Sequence, residues 1–361
     1  MKKIVTILGA RPQFVKAAVL SRAILKNNLI EEVIVHTGQH YDANMSAIFF
    51  KQMNIPTPKY NLDINGIGHG AMTGQMLEKI ETVLLKEKPD AVVVYGDTNS
   101  TLAGALAAQK LQINVVHIEA GLRSFNMKMP EEVNRILTDR VSSLLLCPTN
   151  TAIDNLKQEG YDDLDIDVVN CGDIMKDAVA YYSKLSDQKS NIIKDLDLKN
   201  NEFVLATIHR QENTDSLSAL MSIFEGLTEI HKNTKVVMPL HPRTKNILRK
   251  NNLKYPITFI DPVGYFDMLE LLKNCNLVIT DSGGLQKEAF FNKKYCVVAR
   301  DQTEWVELVS NGFAKLVGSN SEQMISAFTN FQTKENDFST NLFGTEVGEK
   351  IHNEIYKLIQ S

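Results

Sequence analysis

The 361-residue chain contains four cysteines, and no two of them stand in a CxxC pair. Cys147, Cys171, Cys275 and Cys296 are far apart, so neither a disulfide scaffold nor a zinc knuckle is expected. A reducing, cytoplasmic setting is the expectation that follows. The chain also lacks an excess of either charge. Lys plus Arg total 39 against 43 Asp plus Glu, a net of −4, which gives no basic field for nucleic acid or acidic lipid. No apolar run reaches the roughly 18 residues of a membrane span. The apolar stretch Ile4–Ala10 ends in an Arg-Pro step and reads as a buried first strand, not a secretion signal. A GxGxxG dinucleotide fingerprint is absent, and so are low-complexity tracts and internal repeats.

What remains is an ordinary globular composition, 43% hydrophobic and 23% charged, in a chain long enough for two domains. Short β-branched runs alternate with amphipathic stretches. The first series is Ile4–Leu8, Glu32–His36, Ala91–Tyr95, Asn114–Ile118, Leu144–Cys147 and Asp167–Asn170. The second is Phe203–Ile208, Lys235–Leu240, Ile257–Ile260, Leu277–Thr280, Tyr295–Ala299 and Ala314–Val317. Most lack polar alternation, the pattern of parallel strands buried on both faces. Stretches such as Ala17–Lys26, Met72–Lys86 and Asn99–Lys110 carry helical periodicity between them. The expected fold class is therefore α/β, with two doubly wound Rossmann-like domains facing across a cleft. The expected boundaries are 1–170 and 171–361, with a terminal helix at about 347–360 in the second domain.

Ligands of such sheets bind beyond the carboxyl ends of the strands, so those residues carry the functional reading. After the first strand, Gly9-Ala10-Arg11-Pro12-Gln13 places Arg11 at a helix N-terminus as an anion contact, or as an ordinary solvated turn residue. Asp97 in Gly96-Asp97-Thr98-Asn99 by itself reads as the cap of the next helix. Glu119 stands at the mouth of a buried strand, where a lone carboxylate is costly without partners. In Pro130-Glu131-Glu132 one glutamate is expected to be a first-turn charge. Together these carboxylates suggest acid/base work. In the second half, His209-Arg210 and His241-Pro242-Arg243 follow successive strands. The strand ending at Thr280 runs into Asp281-Ser282-Gly283-Gly284, a turn whose N–H groups suit a diphosphate, and Glu288 is placed to reach ribose hydroxyls.

These segments together resemble the non-hydrolysing UDP-N-acetylglucosamine 2-epimerase family, built on the GT-B fold. The matching pieces, in order, are GARPQ with Lys16, TGQH, GDTNSTLAGALAA, HIEAGLRS, PEEVNR, HRQEN, PLHPR and DSGGLQKEA. The segments GLRSFNM and RDQTEWVE look closest to the branch acting on UDP-2,3-diacetamido-2,3-dideoxyglucuronate. One departure stands out: where the main branch has TTERPE, with an arginine on the nucleotide diphosphate, this chain has Trp305, and Arg300 or Arg243 is the expected substitute. Beyond TGQH the chain also departs from the family's run of polar contacts, reading Tyr41-Asp42-Ala43-Asn44-Met45.

The resemblance implies inversion at C2 of a UDP-2-acetamido sugar by elimination and re-addition of UDP. It implies acid/base roles for Asp97, Glu119 and Glu131, with His209 assisting at the diphosphate. It further implies contacts to the UDP-sugar from Arg11, Lys16, Gln39, His40, Arg135, His241, Ser282, Gly283, Gly284 and Glu288. No metal and no nicotinamide cofactor is called for, and a homodimer serving surface polysaccharide precursor synthesis is expected. The alternatives are a hydrolysing 2-epimerase, a GT-B glycosyltransferase and a non-catalytic nucleotide-sugar sensor.

Overall fold

A computed structural model describes residues 1–39, 55–335 and 337–360; His40 and the segment 41–45 lie outside the described residues, as does the side chain of Arg11. The chain divides into two compact units, Met1–Ala178 together with Asn341–Ser361, and Val179–Thr340.

The first unit is built on a seven-stranded sheet of order β3-β2-β1-β4-β5-β6-β7. Its strands are β1 (Lys2–Leu8), β2 (Ile30–His36), β3 (Tyr60–Asn61), β4 (Ala91–Tyr95), β5 (Asn114–Ile118), β6 (Leu144–Cys147) and β7 (Asp167–Asn170). Every pairing is parallel. The second unit has six parallel strands in the order β10-β9-β8-β11-β12-β13. They are β8 (Phe203–Thr207), β9 (Lys235–Pro239), β10 (Thr258–Ile260), β11 (Leu277–Thr280), β12 (Cys296–Val298) and β13 (Ala314–Leu316). All twelve expected strands form, and the thirteenth, β3, is a two-residue edge too short to leave a pattern. Val92–Val94, Val236–Met238 and Val278–Ile279 are wholly buried, as continuous apolar runs in parallel sheets must be.

Both sheets reverse strand order at one place, between β1 and β4 in the first and between β8 and β11 in the second. At such a switch point the crossover connections leave in opposite directions, which opens a crevice beyond the strand ends. Gly9 and Gly96 flank the first crevice; Ile208 and Asp281 flank the second. Small residues let the helices sit close: Gly104 of the Asn99–Lys110 helix would place a Cβ 3.1 Å from Ile7 and from Val94.

The terminal helix forms over Val347–Gln360, but it belongs to the first unit and not to the second, as the expected boundaries had it. Its buried Val347, Ile351, Ile355 and Ile359 recur at helical spacing. They lie against the Arg11–Asn27 helix, where Lys26 also bonds Glu349 at 2.5 Å. An apolar stripe of that kind needs a matching surface, and the first unit provides it. Among the described residues no helix is long and apolar enough to cross a membrane.

Candidate active site

In the first unit the turn after β4 gathers the chemistry. Gly96 sits at φ +62°, and a Cβ there would lie 3.2 Å from Glu119 Oε2 and 3.6 Å from Lys16 Nζ. Lys16, reaching from the Arg11–Asn27 helix, is ion-paired with Glu119, and both side chains are about nine-tenths buried. Glu119 has φ +71°, a conformation that strains a residue with a Cβ and that recurs at functional sites. Its backbone N–H donates to Leu146 O at 3.0 Å, which holds it there.

Asp97 is not the helix cap it resembled. Thr98 takes that place, accepting from Thr101 N at 3.2 Å, and leaves the Asp97 carboxylate to face Arg135, whose Nε lies 3.2 Å away. Burial pushes the Asp97 carboxyl above its usual range. Arg135 and Lys16 pull it back, while Glu119 and Glu131 push it further up. The side chain keeps 36% of its surface accessible, so the carboxylate is crowded but not sealed. Of the glutamate pair, Glu131 is exposed at the helix start, whereas Glu132 is fully buried. Glu132 accepts from Ser124 N at 3.0 Å, Phe125 N at 2.7 Å and Arg135 Nη1 at 2.9 Å, so it is a structural carboxylate. The geometry brings together Lys16, Asp97, Glu119 and Arg135 in one place, with Glu131 close enough to act on Asp97.

Gln39 belongs to the same crevice: its Oε1 accepts from Ser100 Oγ at 2.8 Å and Ser100 N at 3.1 Å. Gln13 is a hub that motif reading passed over. Its Oε1 accepts from Gly9 N at 2.8 Å and Ala10 N at 3.0 Å, and its Nε2 donates to Tyr95 O at 2.8 Å. It thereby ties the ends of β1 and β4 across the switch point. An amide that must both accept and donate there explains why the GARPQ segment ends in glutamine.

In the second unit the organising group is Asp281, also missed from sequence. Fully buried, it accepts from His209 N at 2.9 Å, Arg210 N at 2.9 Å and Asn213 Nδ2 at 3.1 Å. The His209 ring stands 5.2 Å from that of His241, and 36% of its side chain is accessible. Burial, and then the neighbouring His209 and Arg243, hold the His241 imidazole below its usual value against the opposing pull of Asp281. Consistently, His241 accepts from Arg243 N at 3.2 Å, capping the Pro242–Lys250 helix.

Ser282 caps the Gly283–Phe291 helix. A Cβ on Gly283 would collide with Glu304, whereas one on Gly284 would meet none of the described residues within 4 Å. Gly284 therefore leaves open space at the helix N-terminus, where N–H groups and the dipole favour an anion. Glu288, half-buried, follows on the same helix. Trp305 is buried with Lys287 Nζ 3.9 Å above its ring. Of the two arginines expected to replace the missing one, Arg300 is buried and committed to Glu304 at 2.9 Å. Arg243 keeps 34% of its side chain accessible beside Asp215.

Two parallel, doubly wound sheets with charged and polar groups at both switch points are the framework of an α/β protein with a ligand crevice in each unit. The sequence model of the family described as UDP-N-acetylglucosamine 2-epimerase matches residues 22–355. A Pseudomonas aeruginosa protein named UDP-2,3-diacetamido-2,3-dideoxy-D-glucuronate 2-epimerase is 56% identical over 326 residues, 90% of this chain and 91% of that one. A UDP-N-acetylglucosamine 2-epimerase of Methanocaldococcus jannaschii is 44% identical over 359 residues, 97% of each chain. The crystal structure of Methanocaldococcus jannaschii UDP-GlcNAc 2-epimerase in complex with UDP-GlcNAc and UDP has a TM-score of 0.89 at 43% identity, covering 99% of this chain and 100% of that one. The chain belongs to the UDP-N-acetylglucosamine 2-epimerase family. The expected family and α/β framework are thus both borne out.

Proposed function

We propose that the protein inverts C2 of a UDP-2-acetamido sugar without hydrolysing it. UDP-2,3-diacetamido-2,3-dideoxyglucuronate is the preferred substrate of this reading, and UDP-N-acetylglucosamine the simpler one. The 56% identity to a relative named for the diacetamido sugar supports that order. The observation that carries the reading is the convergence of Asp97 and Glu119 on the Gly96 turn, in a chain of this family.

The C2 proton has no adjacent carbonyl, so direct deprotonation at neutral pH is not feasible. Elimination solves this. A carboxylate takes the C2 proton, the C1–O bond breaks, and UDP departs with the electron pair, leaving a 2-acetamidoglycal. UDP then adds back at C1 while a second acid delivers a proton to the opposite face of C2. The step is redox-neutral and needs no co-reactant. A carboxyl raised above its usual range by burial, as that of Asp97 is, holds a proton more readily than an ordinary carboxylate and so suits acid/base work. Glu119 and Glu131 are the other acid/base groups of this reading.

The leaving diphosphate is stabilised by preorganised donors at the Ser282-Gly283-Gly284 turn, assisted by His209, with Glu288 on the ribose. Arg11, Lys16, Gln39, His40, Arg135 and His241 are the further substrate contacts of the same proposal. Lys16, through its ion pair, also holds the Glu119 side chain in place. A first domain for proton transfer, a second for UDP, a cytoplasmic homodimer and service to surface polysaccharide precursors complete the reading, supported by the family resemblance.

Proton NMR in D₂O with each sugar in turn is the test. A manno-type UDP sugar deuterated at C2 is expected. Release of free sugar and UDP would reassign the protein as hydrolysing, and UDP binding without deuterium uptake into either sugar would overturn the reading.

A further inference from the structure

We propose that His117 is the positioning residue of the carboxylate site: it donates from both ring nitrogens and so locks the Gly96–Asp97 turn against the Ile118–Glu119 turn. The proposal rests on the epimerase reading only for what those two carboxylates do.

His117 lies on β5, opposite Val94 of β4, and is fully buried. Its Nε2 is 2.7 Å from the carbonyl oxygen of Gly96, and its Nδ1 is 2.6 Å from Oδ1 of Asp139. A carbonyl oxygen only accepts, so Nε2 carries a hydrogen. Burial by itself would raise the Asp139 carboxyl, but His117 and Arg123 outweigh it and hold the group below the usual range. Asp139 Oδ2 is filled by a guanidinium and a backbone N–H, which keeps the group a carboxylate that only accepts, so Nδ1 carries a hydrogen as well. The ring therefore donates on both sides, within a buried chain of polar and charged partners. Asp139 Oδ2 takes Arg123 Nη1 at 2.7 Å and Gly121 N at 3.2 Å. Arg123 in turn grips Glu159 with two bonds of 2.7 and 2.8 Å.

Buried charges carry a desolvation penalty of several kcal/mol each, and an ion pair of this kind is weak evidence of stability for its own sake. What this one specifies is a conformation. Gly96 donates its N–H to Ile118 O at 2.9 Å and accepts His117 on its carbonyl, so the turn is tied to β5 on both sides. Rotating that carbonyl away would carry Asp97 with it and change its position relative to Glu119, whose Oε2 lies 3.2 Å from where a Gly96 Cβ would stand. The proposed UDP turn belongs to the other unit.

The test begins with the wild-type protein labelled with ¹⁵N-histidine, where NMR is expected to show one ring with two protected N–H protons, lost in His117→Gln. A single N–H on the His117 ring would overturn the proposal, and this arm decides even if the variant does not fold or neither sugar is turned over. In a folded His117→Gln variant, kcat is expected to fall about 100-fold, as a displacement near 1 Å does, with the Kd for UDP unchanged. The double variant His117→Gln/Asp139→Asn re-creates an uncharged donor chain to Gly96 and is expected to recover part of kcat. An unchanged kcat, or equal losses in kcat and UDP affinity, would overturn the proposal.

Discussion

Arg135 sets its Nε 3.2 Å from Oδ2 of Asp97, without the alignment of a hydrogen bond, while its Nη1 holds the buried Glu132 at 2.9 Å. One guanidinium is thus anchored to a carboxylate that cannot move and placed beside one that can change its proton count. The loop of Ser124 and Phe125 hangs on the same anchor.

Asp97→Asn is expected to lower kcat by about 10²- to 10⁴-fold, the usual span for a lost general acid or base, with UDP affinity retained. The sign of its stability effect follows from the raised carboxyl. The folded state binds this proton more tightly than the unfolded chain, so ionisation of Asp97 opposes folding as pH rises. The amide removes that penalty, and the Tm at pH 7 is expected to be no lower than wild type. A large drop in Tm would show that Asp97 is structural.

Lys16→Met leaves Glu119 nine-tenths buried and without its cation. A loss of about 3 kcal/mol in urea unfolding is expected, because removing one partner of a buried pair exposes the desolvation penalty of the other. Lys16→Met/Glu119→Gln should regain most of it. Additive losses in the double variant would contradict the coupling.

The two glycines after Ser282 are expected to behave oppositely. Gly283→Ala drives Glu304 off Arg300 and leaves that buried guanidinium unpaired, lowering stability by about 3 kcal/mol. Gly284→Ala meets no atom of the described residues, so its Tm should match wild type while calorimetry shows weaker UDP binding. Equal UDP affinity in Gly284→Ala would remove the diphosphate from this turn.

Acid stability of the first unit is expected to depend on Glu87. Lys59 and then Tyr60, with Lys3, bring its carboxyl down to about 2 against the opposing effect of burial. The depressed value means that Glu87 stabilises the fold fully above its ordinary 4.5 and progressively less as pH falls towards 2. Glu87→Gln should flatten the urea midpoint over that interval and leave the high-pH slope untouched. An unchanged profile would rule out this carboxylate as the source.

The segments from GARPQ to DSGGLQKEA, met in order along the chain, were enough to mark the family, and buried β-branched runs marked all twelve long strands, because both are local properties of the chain. Asp97, Glu119, Ser282 and Gly284 could be singled out for the same reason: each lies in the turn or helix start that follows a strand, where an α/β sheet exposes its chemistry. Partnership was not legible. That Lys16 neutralises Glu119, that Glu132 and not Glu131 is sealed, and that Asp281 carries three donors depend on contacts spanning 103, 8 and up to 72 positions. The terminal helix shows the same limit. Its stripe is plain in the sequence, but only packing decided which unit it would cover, since an apolar face states that it must be buried and not against what.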